Sequence, residues 1–302
     1  MIKPALAPNA EIAVASADGA VIKVRRHGNP RAAVRLYLSH GNGFAIDGYA
    51  GFWRHFLADF EIVAFDMRSH GRNPRADPAH HDHLHMAADI DAVGHALRSE
   101  FGRKPSAGLF HSLSAQAALL QTIAGPAQFD ALVLFDPPNV PAVGHPVHQA
   151  MVAYEHKLAD WASHRRAQFA DPAELAEDYA RTRSGRRWPD DTALALARAV
   201  LRRGEDGWGL ACPRELEAAM YLQCNTLGLW PRRVDVPVPV ALIAADPECP
   251  YPAATALSNR ALAAEGGFDY GTIPGASHLL QLEEPAACAE AALAALDRIG
   301  LR

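Results

Sequence analysis

Gly108-Leu109-Phe110-His111-Ser112-Leu113-Ser114-Ala115 is the stretch that decides the fold. A short apolar run ends in a His-Ser pair, and a small-residue helical pattern follows at once. This is what a nucleophilic serine needs when it is lifted on a tight strand-to-helix turn above a parallel sheet. The turn exposes the hydroxyl, and the helix N-terminus stabilises negative charge developing beside it. The pentad F-H-S-L-S departs from G-x-S-x-G at both flanking positions, which are small because strand and helix crowd together there. Ser114 is small enough to serve, whereas Phe110 is expected to shift the elbow or shape the floor of a substrate pocket. On its own such a serine reads as no more than a helix cap, so its weight comes from the rest of the chain.

Working outward, strand-like runs recur at Glu11–Ala15, Val21–Arg26, Val34–Leu38, Ile62–Phe65, Ser106–Phe110 and Ala131–Phe135. Helical spacing marks residues 86–101, with Ile90, Val93 and Leu97 on one face, and residues 113–123. Strands alternating with helices predict an α/β fold with a mostly parallel central sheet covered on both faces. From Pro137 the rhythm breaks. Residues 138–235 show helical runs at 148–169, 172–181, 191–203 and 213–223 and no strand run, and so predict an inserted helical lid. The α/β rhythm resumes with strands at 238–244 and 268–273 and helices at 252–264 and 285–299. The expected division is a core of 1–137 and 236–302, with a cap of 138–235 inserted after the sixth strand.

Four motifs then stand in order: HGNG at 40–43, DMRSHG at 66–71, FHSLSA at 110–115 and GASHLLQLEEP at 275–285. With these the chain resembles α/β-hydrolase-fold proteins of the capped serine hydrolase or esterase-like kind, over residues 10–136 and 236–300. The resemblance implies Ser112 as nucleophile, activated by an adjacent base because a free hydroxyl is a poor nucleophile. It implies His278 as that base and Glu248 as the acid, with Asp246 and Asp136 as alternatives. The oxyanion hole would come from the backbone N–H groups of Asn42 and Leu113. Gly41, Gly43, Phe44, Phe110 and His111 are expected around the substrate pocket. Asp66, Arg68 and His70 are expected to brace a turn.

The implied reaction is cleavage of a small carboxylic ester or related carbonyl substrate through an acyl-enzyme. The same residues also suit acyl transfer, thioester or lactone hydrolysis, C–C hydrolysis or cofactor-free oxygenation, and the fold also suits a non-catalytic ligand-binding protein. A serine at the elbow argues against the branches that use an aspartate nucleophile. No cofactor or metal is called for. His80, His81, His83 and His85 read as a solvated loop, because alternating spacing without a helix or strand frame makes a poor ligand set. Among the aromatics of the inserted segment (Tyr154, Trp161, Trp188, Trp208, Tyr221 and Trp230), one or two are expected to face the cleft.

Composition bounds the partners. A chain of 302 residues with 49% apolar and 21% charged residues has ample material for a core. A formal net charge of −5 argues against nucleic acid, and the expected partner is a small-molecule substrate. Four cysteines without zinc-like spacing read as reduced, packed thiols. No apolar run reaches the roughly 18 residues of a membrane span, and the N-terminal stretch lacks a signal-peptide core. A cytoplasmic protein is expected, and the excess of arginine over lysine suggests a GC-rich bacterial source.

Overall fold

The computed structural model describes residues 7–250 and 252–302. The first six residues, part of the stretch read for a leader, and Tyr251 lie outside the described residues. The core is an eight-stranded sheet in the order β1-β2-β4-β3-β5-β6-β10-β11. Its strands are β1 (Ala10–Ala15), β2 (Val21–Gly28), β3 (Arg35–Ser39), β4 (Glu61–Phe65), β5 (Ser106–His111), β6 (Ala131–Phe135), β10 (Val240–Ala244) and β11 (Asp269–Thr272). The β1–β2 and β2–β4 pairings are antiparallel, and all the others are parallel. Strands β3, β4, β5, β6 and β10 are buried along their whole length. They therefore read as continuous apolar runs rather than alternating ones.

Helices cover both faces. One face packs α1 (Ala50–Trp53), α9 (Leu280–Glu283) and α10 (Pro285–Ile299) through Phe52, Trp53, Leu280, Ala289 and Leu296. The other packs α2 (His83–Phe101), α3 (Leu113–Ala124) and α8 (Ala254–Gly266) through Met86, Ile90, Ala118 and Leu262. Because side chains alternate along a strand, Leu109 of β5 belongs to the first face and Phe110 to the second. That alternation decides the fate of Phe110 below.

Between β6 and β10 the chain forms α4 (His148–His164), α5 (Pro172–Arg181), α6 (Thr192–Val200) and α7 (Arg214–Cys224). It also forms a three-stranded antiparallel sheet of β7 (Gln168–Phe169), β8 (Leu201–Gly204) and β9 (Gly207–Leu210), in the order β7-β9-β8. The expectation of a purely helical insert is therefore corrected. The β8 and β9 segments, LRRG and GWGL, are four residues each and dominated by arginine and glycine, which leaves little strand signal. Their ladder is closed by a turn in which Gly207 takes φ +121, a conformation open to glycine. Helix α2 also starts earlier than the periodicity suggests, at His83, because the Asp82 side chain caps it by accepting from the His85 N–H at 2.9 Å.

Candidate active site

The loops that carry chemistry all leave the carboxyl ends of parallel strands, where open α/β sheets present ligands. Residues 40–44 follow β3, Ser112 follows β5, Asp136 follows β6, and residues 274–279 follow β11. A larger hollow, lined by Val34, Phe60, Pro105 and Leu301, lies at the amino ends of the same strands, away from these loops.

Ser112 sits at the junction of β5 and α3 with φ 52 and ψ −114. Such a conformation costs a non-glycine residue about 1–3 kcal/mol and persists only where the surroundings over-determine it. Here they do. The Ser112 N–H donates to Phe135 O (2.9 Å), and its carbonyl accepts from Gln116 N (3.1 Å). Ser114 Oγ closes the turn by donating to His111 O (3.0 Å) and accepting from His111 N (3.1 Å), so a serine fills the second small position. The first small position is supplied differently. The Phe110 ring folds back over Gly108, where an added Cβ would lie 2.3 Å from it, and packs against Phe65 and Phe129. Phe110 is thus core on the α2–α3 face of the sheet and not part of a pocket, a correction that follows from its place in the strand alternation.

Ser112 Oγ lies 3.0 Å from His278 Nε2, and His278 Nδ1 lies 2.7 Å from Asp136 Oδ2. Asp136 is fully buried and takes φ 44 at the end of β6. Its Oδ2 also accepts from Thr255 Oγ1 (2.5 Å), and its Oδ1 accepts from Ala245 N and Asn259 Nδ2 (3.1 Å each). Thr255 and Asn259, one turn apart on α8, are partners that the sequence reading missed. The spacing of a Thr and an Asn on one helical face is their only signal.

The other two acids do not reach His278. Glu248 is exposed (77%) and pairs with Arg260 at 2.6 Å on the surface. Asp246 accepts from Gly275 N (2.7 Å) and Glu248 N (2.8 Å), bonds that hold its carboxyl below the usual carboxylate range. It thereby ties the end of β10 to the loop carrying His278. The preference for Glu248 is corrected: counting along the loop after β10 cannot see that the end of β6 lies directly beside β5 and β10.

His111 is buried behind the elbow and joins three loops. Its Nε2 lies 2.9 Å from His278 O, which accepts only if Nε2 carries the proton. Nδ1 is then the acceptor for Tyr49 Oη at 2.8 Å, and Tyr49 Oη in turn accepts from Gly41 N at 3.4 Å. Burial, aided by His278, holds the His111 pKa well below that of a free imidazole, so the ring stays neutral as this network requires. Gly41 needs to be glycine, because an added Cβ would stand 2.9 Å from His111 Nδ1 and 3.2 Å from Ser112 Cβ.

The DMRSHG turn braces the same loop. Gly43 N donates to His70 Nε2 (3.1 Å), Met67 N donates to His40 Nε2 (3.1 Å), and Ile46 N donates to Asp66 Oδ1 (2.8 Å). From the inserted segment, Glu217 O accepts from Asn42 Nδ2 at 2.8 Å. The Glu217 carboxylate, paired with Arg165, occupies the space that a Cβ on Gly43 would need.

A narrow cleft opens at Ser112, lined by Asn42, Leu113, Gln116, Pro138, Met220, Tyr221 and Cys224. Asn42 and Leu113 therefore border the space next to the serine. Gly41, Gly43, Phe44 and His111 support the loops from behind instead of lining the cleft. Of the inserted aromatics, Tyr221 lines it and the Tyr154 ring stands edge-on to His278 at 6.2 Å.

The histidine-rich loop is also partly corrected. His83 is buried with Nε2 3.1 Å from Gln116 Oε1, and His81 is buried with its ring stacked on His70. Among the described residues His70, His81 and Cys212 bring ligand-type atoms together. However, His70 Nε2 is occupied by the Gly43 N–H, and Arg68, Arg75 and Arg202 act on these groups with a positive field that opposes a cation.

The model of the Alpha/beta hydrolase family matches residues 36–291. The chain belongs to this family. Among curated relatives it is 29% identical to Lipase LipV of Mycobacterium tuberculosis (strain ATCC 25618 / H37Rv) over 201 residues, 64% of this chain and 67% of that protein. Among solved structures it is similar to E-2-(acetamidomethylene)succinate hydrolase, with a TM-score of 0.75 and 18% identity over 95% of this chain and 100% of that one. It is also similar to a thioesterase domain from the curacin biosynthetic pathway, with a TM-score of 0.68 and 17% identity over 94% of this chain and 100% of that one. These structural likenesses establish the fold, and with the family match they make the protein an α/β hydrolase. Among the described residues no helix is long and apolar enough to cross a membrane.

Proposed function

We propose that the protein is a serine hydrolase that cleaves a small carboxylic ester, or a related activated carbonyl compound, through Ser112, His278 and Asp136. The observation that carries this reading is the continuous relay from Ser112 Oγ to His278 Nε2 (3.0 Å) and from His278 Nδ1 to Asp136 Oδ2 (2.7 Å). In it, Ser112 attacks the carbonyl carbon while His278 takes the hydroxyl proton and delivers it to the leaving alcohol. Asp136 holds the imidazole in the tautomer that accepts at Nε2 and stabilises the imidazolium. The backbone N–H groups of Leu113 and Asn42 donate to the oxyanion, at the N-terminus of α3. One such donor is worth about 2.7–4 kcal/mol of transition-state stabilisation. Water then enters by the same route and releases the acid from Ser112. Residues 138–235 act as a cap, with α7 as the wall of the cleft. The names of the relatives, a lipase, a thioesterase and a hydrolase, suit a carbonyl-directed nucleophile.

Fluorophosphonate labelling with peptide mapping tests the reading, together with turnover of a series of p-nitrophenyl esters of increasing chain length. Expected are labelling at Ser112 and loss of both labelling and turnover in Ser112→Ala. Undiminished ester turnover in Ser112→Ala would refute it.

A further inference from the structure

Glu155 on α4 is fully buried, and neither oxygen of its carboxyl has a hydrogen-bond partner. The Cys224 thiol, a weak donor, approaches it without meeting hydrogen-bond geometry. Buried acids are almost always paired, since an unpaired polar group out of water costs free energy comparable to a lost hydrogen bond or more. An orphan carboxyl therefore calls for a partner that comes from outside the chain. Its position says where. Its neighbours on α7, Tyr221 and Cys224, are two of the residues that line the cleft at Ser112. Its neighbour in sequence, Tyr154, stands against His278. A second acceptor, Asn42 Oδ1, is also buried without a partner and belongs to the same cleft.

We infer that Glu155 is a specificity residue that binds a positively charged amine carried by the substrate, with Tyr154 and Tyr221 beside it. The inference rests on the ester-hydrolase reading above and names the substrate class for that site. The chemistry is complementary at each point. A carboxylate neutralises an ammonium, tyrosine faces attract cations, and Asn42 Oδ1 accepts an N–H, so a primary ammonium fits better than a quaternary one. In the empty site burial raises the Glu155 pKa to about 8, so the carboxyl is mostly protonated near neutrality. Its titratable neighbours Tyr154, Tyr221 and Cys224 are pushed up by burial and stay neutral, leaving Glu155 as the group that ionises when the ammonium arrives.

Two measurements test this. In the first, kcat/KM is compared for the p-nitrophenyl ester of an ω-amino acid and the matching neutral alkanoate, and for an aminoalkyl ester and its hydrocarbon isostere. In one of the two pairs the wild type is expected to favour the amine by about tenfold or more, as for a desolvated charge contact. The ratio should fall towards one in Glu155→Gln and recover in part in Glu155→Asp. In the second, n-butylammonium chloride is titrated calorimetrically into wild type and Glu155→Gln at neutral pH in buffers of different ionisation enthalpy. Wild type is expected to bind and release a proton, while Glu155→Gln binds more weakly and releases none. A ratio near one for both pairs in wild type, a preference that survives Glu155→Gln, or ammonium binding unchanged by that substitution would each overturn the inference. If Ser112 labels and neutral esters turn over while these results fail, only the inference falls. If no ester turns over at all, the catalytic reading falls, and the calorimetry still decides the role of Glu155.

Discussion

Asp136→Asn is the perturbation that separates the acid beside His278 from the acid the loop spacing favours. The side chain keeps its shape but loses one acceptor and gains a donor. Wild-type Oδ1 faces two donors, Ala245 N and Asn259 Nδ2, while Oδ2 faces Thr255 Oγ1 and His278 Nδ1. An asparagine that keeps its carbonyl towards Ala245 and Asn259 must point its NH₂ at His278 Nδ1. That interaction makes Nδ1 an acceptor and moves the imidazole proton to Nε2, where it can no longer take a proton from Ser112. The opposite rotamer sets NH₂ against two N–H groups in a dry site, which is worse. The wrong tautomer in a Ser-His-Asp site costs about 10⁴ in kcat. At 1.36 kcal/mol per tenfold, that is about 5.4 kcal/mol of barrier. Glu248→Gln removes only an exposed pair with Arg260. Such pairs are worth about 0–1 kcal/mol, so turnover should stay within about twofold. Initial rates on a short-chain p-nitrophenyl ester, with the rate of fluorophosphonate labelling of Ser112, measure both. An Asp136→Asn enzyme within about tenfold of wild type, or a Glu248→Gln enzyme that falls as far, refutes the reasoning.

Three further outcomes are expected. Tyr49→Phe strands the buried Nδ1 of His111, so the melting temperature should fall by the equivalent of about 1–3 kcal/mol; kcat should drop as the His278 loop loosens, while Ser112 still labels. Phe110→Ala empties core and not pocket, so it should destabilise by about 3–5 kcal/mol in denaturant titrations and leave the ranking of ester chain lengths unchanged. Glu155 has a raised folded pKa, so it contributes stability that is fully present below the unfolded carboxyl pKa and is lost as pH rises through about 8. The melting temperature of Glu155→Gln relative to wild type should therefore climb between mildly acidic and mildly alkaline pH; a flat difference would show that Glu155 does not titrate there.

The order of elements and the serine elbow were legible in the chain because both depend on local pattern. Fully buried parallel strands write themselves as apolar runs, and Ser112, His278 and HGNG stand at strand ends whatever the three-dimensional path. Composition and spacing also marked 138–235 as an insertion. They did not mark its small sheet, since β8 and β9 are four residues each and dominated by arginine and glycine.

Tertiary structure alone decided the rest. Phe110 and His111 are adjacent in sequence, but strand alternation sends one into the core and the other under the elbow. Glu248 sits at a plausible loop offset, yet the order of β5, β6 and β10 in the sheet puts Asp136 against His278. Tyr49, Thr255, Asn259 and Glu155 carry no motif at all. Their roles arise from contacts between residues far apart in the chain, where burial removes water as the alternative partner. The sequence by itself determined which strand ends carry Ser112 and His278. The packing of the sheet and the inserted helices determined that Asp136 meets His278 and that Glu155 is buried beside Tyr221 and Cys224.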